Sequence, residues 1–378
     1  MKNWVTYLLS SALGILFHFM FHAEAWYVPV VFTAVSWIEA FCSIGFPVVM
    51  ALTLSAAVSS FLGHRDIGTG VCLTTVLWGL VSGFALCLAA GLLFLVLPDV
   101  PVVTAQTGGT ELVFPDRFFV VFAGALLFGF AFRPTSKVFK EAYSLSNSLS
   151  EAAFRFCKDF SRIWWIAMFF FAANTASVLQ SNAFPVLVPT LAIAAVSVLA
   201  VLPILFCIFT KFRVNPYRKM FRLLPPALSA FFGQTAEAGF VPLYCAERNN
   251  LGIQKRVVAL TAPLSRMTGR GGSAAFAVYA ICYSVYSSGS SVGFGTVLLV
   301  AAVCTCAGFV AFCAPGVEML AICSVAFFLL GKEPSAVAVL PLLAPFSALT
   351  DILIAGLCSV VIGKNFDADC EICNWDTV

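Results

Sequence analysis

Apolar runs long enough to cross a bilayer succeed one another along nearly the whole chain. Five ionisable residues are set inside those of the C-terminal half: Glu237, Arg266, Arg270, Glu318 and Asp351. A charge at bilayer depth costs at least ~2.5–3.5 kcal/mol on insertion scales, so such residues face a cavity or a partner rather than lipid. Helix-breaking glycines and prolines lie beside them, and non-helical backbone at that depth is tolerated only where protein or water covers it. Stranded charge next to broken helix points to a solute pathway through a membrane.

Composition agrees with this. Charged residues are 10% of 378 and hydrophobic residues 61%, against roughly 25% charged in a soluble domain. A span takes about 20 apolar residues, and the chain holds many more than one anchor. The stretch from Trp4 to Phe21 is read as a first span and not a signal peptide, because only Lys2 precedes it and no small-x-small cleavage site follows. Thirty-nine Phe against seven Trp and eight Tyr suit a lipid-facing surface.

Basic residues cluster at Arg133, Lys137 and Lys140, at Lys211, Arg213, Arg218, Lys219 and Arg222, and at Arg248, Lys255 and Arg256. This bias reads as cytoplasmic loops and not as a nucleic-acid surface. The fourteen Cys lie mostly in apolar spans, where Cys behaves as a small hydrophobe. Cys370 and Cys373 make one C-x-x-C in a tail expected in the cytosol; half a zinc site at best, it is assigned no role. His18, His22 and His64 show no metal spacing. No cofactor, metal or nucleic-acid partner is expected.

Along the chain, spans are expected at about 4–21, 28–61, 68–97, 118–132, 163–179 and 184–210, with an amphipathic helix over 137–160. The pattern then changes. Residues 217–247 are apolar, yet Pro225, Pro226, Gly233, Gly239 and Pro242 interrupt them and basic clusters bracket both ends. A segment that starts and finishes on the same side is a re-entrant hairpin. The apolar stretch 257–286 breaks at Thr268-Gly-Arg-Gly-Gly-Ser273. Residues 294–330, with Gly308, Pro315 and Gly316 inside, read as a second hairpin from the opposite face, and 335–362 as a last span centred on Asp351. Opposed hairpins around a broken helix are how inverted repeats build a site at the membrane midplane.

This order of elements resembles the dicarboxylate/amino acid:cation symporter family, the glutamate-transporter fold. The resemblance is collinear over nearly the whole chain and tightest from Asn215-Pro216 to Asp351. It rests on Gly239, Pro242, Gly252, Pro263, Gly272, Gly316-Val-Glu-Met-Leu-Ala321 and Asp351. It implies an all-α integral membrane protein with eight transmembrane segments and two re-entrant helical hairpins. It implies also a homotrimer whose scaffold (1–65 and 99–180) stays still while a transport domain (66–98 and 181–363) moves solute like an elevator; 364–378 is a tail. An inner membrane and cytoplasmic termini are expected.

The departures from the family are informative. Its serine-rich first hairpin tip is here Thr235-Ala-Glu237-Ala-Gly239, and its Asn-Met-Asp-Gly-Thr is Gly269-Arg270-Gly271-Gly272-Ser273. The aspartate that holds a substrate amino group matches Asp351. The arginine that holds an acidic side chain falls on Ile354, and the asparagine and second aspartate beyond it on Cys358 and Ile362. In the third span, Trp78, Val81 and Ser82 replace residues near a sodium position.

With both sodium carboxylates lost and Arg270 beside the cation position, sodium coupling is expected to be absent. The expected solute is a neutral amino acid or another amino-bearing molecule, gripped by Asp351. The candidate substrate-binding set is Asp351, Thr235, Glu237, Gly239, Arg270, Ser273, Gly308, Gly316, Ala355 and Cys358. Arg270 and Glu237 equally read as an internal ion pair, with Arg270 standing in for the missing cation; Glu237 is also a candidate proton carrier. Glu318, just after the Gly316 break, reads either as lying near the site or, by preference, as facing a water-filled crevice; Arg266 is expected to approach the cytoplasmic side, and Glu39 to lie at the outer interface or a subunit contact. Alternatives are an organic-anion carrier using Arg270, and a transport-dead homologue acting as sensor, channel or interaction partner. No nucleophile–base pair or nucleotide loop argues for an enzyme.

Overall fold

The computed structural model describes residues 3–24, 26–61, 65–96, 124, 127–128, 137–180, 184–287, 291–310, 318–330 and 340–365. The described residues are almost all helical. Three helices precede the first long gap: α1 (Asn3–Phe21), α2 (Tyr27–Phe61) and α3 (Arg65–Val96). Next come α4 (Lys137–Ile163), α5 (Trp165–Leu179) and α6 (Phe184–Phe209). The rest of the chain folds into shorter helices: α7 (Pro216–Arg222), α8 (Leu224–Gly233), α9 (Ala236–Asn249), α10 (Lys255–Thr268), α11 (Gly271–Ser287), α12 (Phe294–Val310), α13 (Glu318–Leu330) and α14 (Leu340–Asn365).

Three described stretches are long and apolar enough to cross a membrane: Gly70–Leu93, Leu191–Phe209 and Leu342–Asn365. They sit differently in the molecule. In α6, Ile193, Val196, Ile204 and Ile208 point outward, as does the Leu9, Leu13, Leu16, Phe19 and Met20 face of α1. These are surfaces fit for hydrocarbon. By contrast α14 is enclosed nearly all round, with Ile352, Ile354, Leu357, Val360 and Val361 inaccessible. A helix apolar on every side belongs at a centre. Indeed α14 packs against α8, α9, α10 and α11, while α11 is held between α3, α12 and α14. On the outside, α1 pairs with α5 and α2 with α4.

The breaks expected from glycine and proline are present, with sharper boundaries. Asn215 caps α7 by accepting from the Tyr217 and Arg218 N–H groups, and Pro216 fills the first helical position. The hairpin proper begins only after Leu223. Helices α8 and α9 are joined by two residues: Gln234, in the left-handed region at φ 54°, and Thr235, whose Oγ1 accepts from the Ala238 N–H at 3.3 Å. Gln234 is not glycine, so the turn needs outside support. Its side-chain amide donates to Thr175 Oγ1 at 3.1 Å, and that hydroxyl donates to the Phe232 carbonyl at 2.9 Å. Trp164 Nε1 donates to Ser229 Oγ, which donates in turn to the Ala238 carbonyl at 2.6 Å. Thr175 in the last third of α5, and Trp164 just before that helix, therefore hold both arms of the hairpin. Of the span expected over 118–132 only residues 124, 127 and 128 are described, and the Cys370/Cys373 pair and the Pro315 and Gly316 of the expected second hairpin lie outside the described residues.

Candidate functional site

Arg270 sits in the gap between α10 and α11, where the backbone is not helical. Its guanidinium is 2% exposed and collects three carboxylates from three other helices. From the start of α9, Glu237 Oε1 lies 3.1 Å from Nη2; from the start of α13, Glu318 bonds Nη1; from the middle of α14, Asp351 Oδ2 lies 4.0 Å from Nη1. Glu237 is 9% exposed, Glu318 6% and Asp351 2%. Three acids around one guanidinium leave two negative charges in excess if all are ionised. The balance favours a positively charged group or protons as the missing complement, and not a free anion. Arg270 Nε has no hydrogen-bond partner among the described residues.

Asp351 has a second task. Its Oδ1 accepts from the backbone N–H groups of Gly272 at 2.7 Å and Ser273 at 3.0 Å, and the Ser273 hydroxyl donates to Oδ2 at 2.5 Å. The carboxylate thus caps α11 from across the helix interface, where the orphan N–H groups and the helix dipole favour an anion. Glycine makes the approach possible. A Cβ on Gly272 would meet the Ser347 carbonyl oxygen at 2.6 Å and Asp351 N at 2.8 Å. On Gly271 it would meet Gly83 Cα at 2.8 Å and Ile354 Cδ1 at 3.0 Å. Ile354 therefore packs against the glycine run, and the positive charge of the site comes from the broken helix instead.

Ser273 joins the group directly. Thr235 caps α9 two residues before Glu237. Gly308 lies near the site, where a Cβ would make ordinary contact at 3.6 Å with Ala274 Cβ and the Arg270 carbonyl oxygen. Gly239 serves packing: a Cβ there would meet Ile352 Cγ1 at 2.7 Å and the Pro226 carbonyl oxygen at 2.8 Å. Ala355 is buried within the core. Cys358 belongs to another group, with its thiol hydrogen-bonded to Thr75 and close to Glu247. Gly316 and the side chains of Arg266 and Glu39 lie outside the described residues.

Two features differ from expectation. Glu318 does not look into a crevice but bonds Arg270. Glu247, which drew no notice in the sequence, is fully buried. The spacing Phe240, Tyr244, Glu247 places it on a buried helical face, and that was the available signal. Trp78 donates its Nε1–H to the Ile354 carbonyl at 3.0 Å and meets Phe209 edge to face, so its indole ties α3 to α14.

The sequence model of the sodium:dicarboxylate symporter family matches residues 118–360, well over half of the chain. Among curated proteins, the neutral amino acid transporter B(0) of Homo sapiens is 32% identical over 132 residues, which cover 34% of this chain and 24% of that protein. Its counterpart from Mus musculus is 31% identical over 132 residues, 34% of this chain and 23% of that protein. The aligned stretch thus spans about a quarter of these relatives.

Proposed function

The chain belongs to the sodium:dicarboxylate symporter family, and from that membership we propose that it is a secondary transporter of a neutral amino acid or another amino-bearing solute, independent of sodium. The observation that carries the proposal is the Arg270 group. A guanidinium fixed among Glu237, Glu318 and Asp351 supplies the positive charge that a bound cation would otherwise supply there, and would repel one. Coupling then falls to protons or to exchange. The excess of acids suits an ammonium group, and Asp351 is the acid already oriented to receive it. A carboxylate can accept up to four hydrogen bonds, so the helix cap and a bound ammonium are compatible. Arg270 Nε, which has no hydrogen-bond partner among the described residues, offers an N–H to the carboxylate of a zwitterionic solute. Thr235, Ser273 and Gly308 flank this position. The names of the relatives support a neutral amino acid as the first solute to test.

The rest of the family architecture is proposed with the function. It comprises eight spans with two re-entrant hairpins, residues 1–65 and 99–180 as scaffold, and 66–98 and 181–363 as the moving domain. A homotrimer in an inner membrane, with cytoplasmic termini, would carry solute as an elevator.

The test is thermal stabilisation of the purified chain by a panel of solutes, in sodium and in choline buffer. A ligand at 100 times its Kd stabilises by about 2.7 kcal/mol. A neutral amino acid that raises the melting temperature equally in both buffers, and does nothing to Asp351→Asn, is the expected result. Stabilisation in sodium alone would overturn the role given to Arg270. Stabilisation by organic anions, retained in Asp351→Asn, would favour the anion-carrier alternative that Arg270 Nε also allows.

A further inference from the structure

A second buried acid lies on the same hairpin helix as the first. Glu247 is ten residues beyond Glu237 on α9, or about 15 Å at the helical rise of 1.5 Å per residue. It is 0% exposed. Its Oε1 accepts from the Ser359 hydroxyl of α14 at 2.7 Å, and Ser359 Oγ lies 3.0 Å from Thr261 Oγ1 of α10. Oε2 has no hydrogen-bond partner among the described residues. The groups facing the carboxyl are these two hydroxyls and the Cys358 thiol, with Thr75 of α3 behind it. No charged side chain described on α2, α4, α8, α10 or α14 bonds it. The side chains of Lys255 and Arg256 lie outside the described residues.

An ionised carboxylate in such surroundings bears the full loss of hydration with one neutral donor in return, which is why groups so placed take up a proton and become neutral. We propose that Glu247 is a proton-binding site of this chain, separate from the Arg270 group, and that it carries a neutral carboxylic acid in the packing seen here. The proton comes from water. Arg248, the next residue, is exposed, and α9 ends at Asn249, so the aqueous boundary lies within one helical turn. Loosening α9 from α14 hydrates the carboxyl and releases the proton; repacking takes it up again. Both acids of α9 also touch α14, Glu237 through the Arg270 group and Glu247 through Ser359, so one movement of the hairpin against that helix reaches both. As a coupling site, Glu247 rests on the transport reading above; as a proton site it does not.

Infrared difference spectroscopy of the full-length protein in membranes tests the proton site. At neutral pH the wild type should show the carbonyl band of a buried carboxylic acid, which Glu247→Gln lacks. The same band should fade in the wild type at alkaline pH. A wild-type spectrum without it, or a band unchanged in Glu247→Gln, overturns the proposal. If Glu247→Gln does not fold, Ser359→Ala gives the second readout, since removing the hydrogen-bond donor shifts the band of Glu247 and of no other acid. An unshifted band overturns the proposal equally. Sodium-dependent stabilisation present in the wild type and lost in Glu247→Gln would mean a metal ion in place of the proton. In proteoliposomes, an inward proton gradient should stimulate wild-type uptake several-fold and Glu247→Gln uptake not at all; equal stimulation of the two refutes the coupling role. If the wild type takes up no amino solute, the proposed function falls, while the infrared result still decides the site.

Discussion

Replacing Arg270 by methionine keeps an unbranched apolar stem and removes the guanidinium with its charge. In the wild type the guanidinium lies 3.1 Å from Glu237, is bonded to Glu318 and stands 4.0 Å from Asp351, all inside the protein. At an effective dielectric of about 20, one pair at 4 Å is worth about 4 kcal/mol before desolvation, so the three together dominate the local field. Removing one member of a buried pair costs about 3–5 kcal/mol, because the remaining charge is left uncompensated. Arg270 has three such dependants, which puts Arg270→Met at the upper end of that range, limited by protonation of the acids. At about 2 °C per kcal/mol for a chain of this size, the upper end of that range lowers the melting temperature in detergent by about 8–10 °C. Adding Glu237→Gln and Glu318→Gln removes two of the stranded charges and should restore more than half of the loss. Asp351 keeps its helix N-terminus in either variant. A single variant as stable as the wild type, or a triple variant no better than the single, would refute the claim that Arg270 serves as the fixed cation of this site.

Other consequences are simpler to read. Gly272→Ala should lower stability by about 1–3 kcal/mol in thermal melts, because the new Cβ would meet backbone of α14 and not a flexible side chain. Trp78→Phe keeps the edge-to-face contact with Phe209 but leaves the Ile354 carbonyl without its donor, for a loss of about 1–3 kcal/mol in the same assay. Ser229→Ala removes the hydroxyl linking Trp164 to the Ala238 carbonyl. It should cost about 1–3 kcal/mol and open the hairpin turn first, visible as faster amide exchange around residues 229–238.

Much of the architecture could be read along the chain. Apolar runs too long for a soluble domain require helices, the only alternative to a closed barrel where no water serves the backbone. The glycines and prolines after residue 215 placed the breaks between α8 and α9 and between α10 and α11 within a few residues. The pair α8–α9 begins later than the apolar stretch 217–247, because α7 is capped as its own short helix by Asn215. These are local features, decided by neighbours three or four positions away. That the buried charges needed partners was equally legible, since the cost of isolating them does not depend on the fold.

Which partners they took was not legible. Arg270 meets Glu318 forty-eight positions away, and Asp351 caps backbone seventy-eight and seventy-nine positions before it. Those meetings depend on how closely helices approach and on which way each side chain leaves its helix. Glycine at 271 and 272 permits the close approach but does not name the helix that uses it. So nothing along the chain pairs Glu318 with Arg270, sets Cys358 beside Thr75 and Glu247, or singles out Glu247 as buried. The sequence by itself determined that this chain is helical, membrane-embedded, broken at stated places and obliged to neutralise its inner charges. Only the tertiary structure decided that one arginine gathers three acids and that a second acid is buried with neutral hydroxyls and a thiol. Burial and its cost are properties of a residue in its medium, whereas pairing is a property of helices brought together from distant parts of the chain.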